Sequence, residues 1–217
     1  MLKGVLLMTM QIYLILSFSI VTITALCSFF VIYFAFKKEN EKLIKLDVTL
    51  DQMKDMEDNI SSFFEKNNID ASADIYKIAE ILKVNIGEEN DSLEVQTQLS
   101  EPDQNGNMFV TFKRGLKAQE KIFNFAHECA HIINGDPVPV SRPEGHNKPL
   151  IEQLADYTAA ALLMPIQDVY NDLVSCKYKK MSTARRMKIV YEICNKYQVS
   201  EIIALRRIEE VCKLKKI

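Results

Sequence analysis

Apolar and polar positions follow three rhythms along this chain. From Gly4 to Phe36 there is no charged residue. The run QIYLILSFSIVTITALCSFFVIYFAF inside that stretch exceeds the ~20 apolar residues that cover a roughly 30 Å hydrocarbon core. The pattern therefore predicts a transmembrane helix over 12–36, after a short flank at 1–11. Leu43, Leu46, Leu50, Met53, Ile60 and Phe64 then mark an a/d-like seam, interrupted by Glu57. It fits a helical linker over 37–52 that runs on and packs against the domain; a short coiled coil pairing two copies as a homodimer is the alternative.

The third rhythm fills the rest. Asn67, Asn68 and Asp70 break the seam, and Ser72 can cap a second helix with Ile75, Ile78, Ala79 and Leu82 on one stripe. Leu93, Val95 and Thr97 alternate with Glu94 and Gln96. EPDQNG supplies a turn, and MFVTF (Met108 to Phe112) reads as the next strand, which predicts a small antiparallel sheet. From Ala118 the period is helical, with Ile122, Phe125, Ala126, Cys129 and Ile133 on the buried face and Asn134-Gly135 as the stop. Three prolines between Asp136 and Lys148 exclude a regular element there. Pro149 suits the first turn of a helix carrying Leu150, Leu154, Ala155, Ala159 and Leu162. Met164-Pro165 closes that helix and opens another, and Ser182 and Ser200 can cap two more. The expectation is an α+β fold, mainly helical, at 53–213, with a tail at 214–217.

Composition changes this picture only locally. The chain is 48% hydrophobic and 26% charged with a formal net charge of -2, so no basic excess points to direct nucleic-acid binding. Arg185, Arg186, Arg206 and Arg207 on the last two helices read as a solvated face. Lys3 lies before the apolar run, whereas Lys37, Lys38, Lys42 and Lys45 lie after it. That asymmetry predicts a single-pass protein of the cell membrane, the lipid bilayer its partner, with the carboxyl-terminal domain cytoplasmic. The cysteines after the run show no short-spaced framework and read as small buried thiols of a reducing compartment.

The candidate chemistry lies in FNFAHECAHIINGD. On a helix, His127 and His131 are one turn apart and can direct both imidazoles at one ion, while Glu128 projects about 100° away and can reach a water without ligating. A catalytic zinc normally takes three protein ligands and keeps one position for water. Glu152, in IEQLAD, is the best-placed third ligand, since the proline-rich loop lets its helix return antiparallel to the first. Asp156, one turn on, can accept the outward N–H of a ligand histidine. The reverse assignment, with Asp156 as ligand and Glu152 in solvent, competes with this. His146 in the loop could stabilise an oxyanion or simply lie at the surface. Tyr157, Tyr170 and Tyr178 are candidate proton donors.

HECAHIINGD followed by IEQLADYTAAALLMP resembles the ImmA/IrrE family of zinc metallopeptidases, and the likeness extends through MFVTFKRGLKAQEKIFNFAHE and YQVSEIIALRRIEEV over roughly residues 53 to 213. The resemblance implies a gluzincin-like domain, here a membrane-anchored variant, with His127, His131 and Glu152 on Zn2+ and Glu128 as base. It also implies site-specific cleavage of a polypeptide, a cytoplasmic helix-turn-helix transcriptional repressor being the expected kind. A non-proteolytic zinc-containing interaction or sensor module is the alternative. Ala130 stands where the family usually has glycine, a small helix-favouring change that leaves ligand geometry intact.

Overall fold

The structure is a computed structural model that describes residues 47–70, 74–137 and 149–217. Seven α-helices and three strands lie among them: α1 (Leu50–Asn67), α2 (Ile75–Leu82), β1 (Val84–Asn90), β2 (Thr97–Leu99), β3 (Met108–Lys113), α3 (Ala118–Asn134), α4 (Leu150–Leu163), α5 (Ile166–Ser175), α6 (Thr183–Tyr197) and α7 (Glu201–Lys215).

The expectation of a membrane-anchored chain is corrected. Among the described residues no helix is long and apolar enough to cross a membrane. The longest, α1, has 18 residues but carries Asp51, Lys54, Asp55, Glu57, Asp58, Glu65 and Lys66. The apolar α4 has 14 residues, a rise of about 21 Å against a roughly 30 Å hydrocarbon layer. The transmembrane helix, the bilayer partner and the single-pass cell-membrane placement with a cytoplasmic domain do not stand on this fold; the run 12–36 itself lies outside the described residues.

Thr49 starts α1 with a capping box: its hydroxyl accepts from the Gln52 amide, and the Gln52 side chain accepts from the Thr49 amide. Met53, Ile60 and Phe64 from the seam are buried in the core. Leu50, from the same seam, is exposed, and Leu43 and Leu46 lie outside the described residues. Glu57, the interruption in that seam, has partners of its own, described below. Asp74, rather than Ser72 (outside the described residues), caps α2 by accepting from the Tyr76 amide at 3.0 Å.

The sheet is mixed, which corrects the antiparallel expectation. Its order is β1-β3-β2, with β1 parallel and β2 antiparallel to β3. Leu93 and Val95 precede the strand, because Asn90 accepts from the Ser92 amide at 2.9 Å and turns the chain there. The unexpected strand is β1, VNIGEEN, whose only buried side chain is Val84. Between Ile86 and Glu89 its pairing shifts, and a Cβ at Gly87 would lie 3.2 Å from the Val110 carbonyl oxygen, so glycine permits the close approach. On β3 the expected alternation is present: Met108, Val110 and Phe112 point into the core.

The sheet and α1 surround α3, whose residues Asn124 to His131 are all buried. Gly135 ends it at φ 74°, in the left-handed region. Against α3 lies α4, where Ala155 and Ala159 are fully buried in the same cluster as Ala126, Cys129 and Ala130, and these small side chains let two helices approach closely enough to share one site. A second cluster packs Val169, Leu173, Val190, Val199 and Ile208 between the end of α4 and α5 to α7.

The solvated-face reading fails for two arginines of α7. Arg206 and Arg207 are buried, because carboxylates from distant segments meet them. Arg207 pairs with Glu57 at 2.8 Å and Glu210 at 3.6 Å, and Tyr157 donates to Glu57 at 2.7 Å. Burial pushes the Glu210 carboxyl up to about 7, against the pull of Arg206 and Arg207. An acid raised in this way holds a proton that the unfolded chain has released. Its stabilising contribution is full below the ordinary value of 4.5 and is lost as pH rises through about 7. Relative to Glu210→Gln, the native chain should lose stability to urea between about pH 5 and about pH 8. A constant difference across that window would show the carboxylate charged throughout.

Candidate metal centre

Two helices build the site. On α3, the i, i+4 spacing stacks His127 and His131 with ring centroids 4.7 Å apart and planes at 86°. Both are nearly inaccessible to solvent, at 2% and 1% exposure. The Nδ1 of His127 lies 2.8 Å from Asp156 Oδ1, and the Nδ1 of His131 lies 2.8 Å from Asp136 Oδ2. A carboxylate accepts, so each ring carries its proton on Nδ1 and turns a bare Nε2 lone pair inward. Those two Nε2 atoms are 3.1 Å apart. Lone pairs at that separation repel one another, and a shared cation converts the repulsion into ligation.

Glu152 supplies the opposing charge from the first turn of α4. Its Oε2 is 3.3 Å from His127 Nε2 and its Oε1 3.5 Å from His131 Nε2. One ligand atom each from His127, His131 and Glu152 lie within 4.8 Å of one another. The donor set therefore fits a metal ion: two imidazole nitrogens and one carboxylate, all buried. Desolvation lowers the affinity of His131 for a proton, but the hydrogen-bonding carboxylates of Glu152 and Asp136, with the charges of Glu128 and Glu152, outweigh it. Its pKa sits above the ordinary histidine value. The position favours a cation, whether proton or metal.

Glu128 is held beside this set. Its Oε1 accepts a hydrogen bond from the Thr97 hydroxyl at 2.7 Å, across from β2. Both side chains are buried.

Of the other candidates, Asp156 meets the outer nitrogen of His127, while Glu152 meets the inner ones. Tyr157 gives its hydroxyl to Glu57, and burial pushes its pKa far up. Tyr170 lies under Lys215 and Tyr178 under Arg186. His146 lies outside the described residues.

Three contacts escaped the sequence. Asp136 reaches His131 because Gly135 reverses the chain, with the Asp136 amide donating to the His131 carbonyl at 2.9 Å. An acid directly after the glycine stop was the available signal. Thr97 is 31 residues from Glu128, and no local pattern links them. Arg206 donates to the Asp156 carbonyl at 3.1 Å and lies 3.8 Å from its carboxylate, bracing the acid that orients His127.

The family model described as the IrrE N-terminal-like domain matches residues 79–209, a span that contains α3, α4 and all three candidate ligands. The chain belongs to this family. No curated protein matches it. As an IrrE N-terminal-like domain with a buried His-His-Glu cluster, the chain has the support of both fold family and donor set for a metal-dependent peptidase activity in general terms.

Asp156→Asn keeps the shape of the IrrE-like site but removes the charge facing the His127 N–H. Metal affinity should fall about 10–100-fold, measured by competition with a chromophoric chelator. Unchanged affinity would dissociate Asp156 from metal binding.

Proposed function

We propose that this IrrE-like chain is a zinc-dependent endopeptidase. His127, His131 and Glu152 hold the ion, Glu128 is the general base, and Asp156 fixes the His127 tautomer. One observation carries the reading: two inward Nε2 atoms and a carboxylate converge from two helices, while the neighbouring Glu128 is tied to Thr97 instead. Two imidazoles and one carboxylate match the donor preference of catalytic zinc, whereas calcium and magnesium favour all-oxygen sets.

When bound, zinc polarises a scissile carbonyl and brings water into the range of neutral-pH ionisation. Glu128 takes the proton of the attacking water and returns it to the leaving amine. Asp156 and Asp136 hold protons on the two Nδ1 atoms, which fixes both ring orientations and leaves each Nε2 as the atom that would meet the ion. Burial of the cluster excludes bulk water from the charges that develop.

The substrate reading is a site-limited cut in a regulatory polypeptide, and the family resemblance favours a helix-turn-helix transcriptional repressor. The test pairs zinc analysis of the purified chain with co-expression beside candidate repressors. Stoichiometric zinc and a chelator-sensitive cut are expected. A folded protein that takes up no divalent metal would overturn the proposal.

A further inference from the structure

A second cavity lies among α5, α6 and the end of α7, with none of the metal-site residues in its wall. Its volume is 470 Å³, within the range of about 300–1,000 Å³ typical of small-molecule sites. Leu173, Val174 and Tyr178 give it apolar walls, and Cys212 and Ile217 complete them.

The rim is cationic. Lys177, Lys179, Lys180, Arg186 and Lys216 contribute five positive side chains, and no aspartate or glutamate lines the cavity. With 27 basic and 29 acidic residues in the chain, this is a local concentration of one sign. Such a cleft with low-dielectric walls focuses its field on an anion.

Arg186 shows how the charge is aimed. Its Nη2 donates to the Lys179 carbonyl at 2.8 Å, and its guanidinium sits 5.5 Å from the Tyr178 ring centroid. Its Nε is buried and has no hydrogen-bond partner among the described residues. A buried donor without an acceptor is unfavourable, and the charge it carries adds to the positive field at the cavity wall. The Cys212 thiol reports the same field. Burial raises its pKa, and the charges of Lys179 and Arg186 oppose that rise.

We propose that this cavity binds a small amphiphilic anion: an aliphatic or aromatic body against Leu173, Val174 and Tyr178, with one carboxylate, sulfonate or phosphate among the rim cations. A neutral apolar molecule would fill the walls and leave the cations opposed to one another. A small hydrophilic anion would leave the walls wet. The site is independent of the metal chemistry proposed above.

The test uses the full chain with octanoate as probe and reads the alkylation rate of Cys212 by iodoacetamide, followed by peptide mass spectrometry. Octanoate should slow Cys212 about tenfold at saturation, while equal concentrations of octanol or octyltrimethylammonium should not. Lys177→Gln/Lys179→Gln alters two exposed side chains, and should raise the half-protecting octanoate concentration on the order of tenfold without changing the melting temperature. Arg186→Gln removes one of the rim charges, and should weaken protection as well. Failure of octanoate to protect, equal protection by octanol, or full protection in the double variant would each overturn the proposal.

Discussion

Glu128→Gln should lower kcat/KM by about 10²–10⁴-fold while zinc content and melting temperature stay at native values. Glutamine has the volume of glutamate, and its carbonyl oxygen can still accept the Thr97 hydrogen bond that spans 2.7 Å. Packing of the buried α3 turn is therefore retained. Only the proton acceptor is lost. The decisive comparison measures cleavage and bound metal on the same sample. Full activity would eliminate Glu128 as base. Loss of zinc together with activity would make it a ligand instead, contrary to the assignment of His127, His131 and Glu152. Thr97→Val should lower kcat with metal content unchanged, because the base survives but loses its tether.

Arg207→Ala is expected to cost about 3–5 kcal/mol of stability, seen as a fall in melting temperature of about 6–20 °C at the 2–4 °C per kcal/mol of chains this size. Arg207 has no exposed surface. Its guanidinium pairs with Glu57 on α1 and Glu210 on α7, its Nε donates to the Met164 carbonyl at 3.0 Å, and it lies 5.4 Å from the Tyr157 ring centroid. The Glu57 contact is an ion pair without an aligned hydrogen bond. Alanine removes the shared cation and leaves Glu57 to the Tyr157 hydroxyl and Glu210 to Arg206. Adding Glu57→Gln to Arg207→Ala should recover part of the loss. A single variant that melts like the native chain would show water already reaching this network.

The helices and the spacing of the metal-site residues were legible in the sequence; their partners were not. Apolar periodicity, the Asn134-Gly135 stop and Pro149 delimit α3 and α4, and i, i+4 geometry follows for His127 and His131. Glu152 required an inference about antiparallel return. Parallel pairing of β1 was hidden because a mostly polar edge strand has no apolar alternation to detect. Arg206 and Arg207 looked like surface residues because a guanidinium's burial depends on carboxylates that tertiary packing delivers, Asp156 from α4 and Glu57 from α1. The bilayer helix rested on an apolar run alone, and among the described residues no helix can take that part.

Adjacent guanidiniums on α7 have different destinations: Arg206 turns to Asp156 behind the candidate ligands, and Arg207 to Glu57 on α1. One inserted residue between Ser200 and Arg206 would rotate the remainder of the helix by about 100°, removing both from their acceptors together. The axial phase of α7 is thus fixed twice over. Related chains should tolerate length variation in the turn at 91–96 far better than within α7 ahead of Arg206.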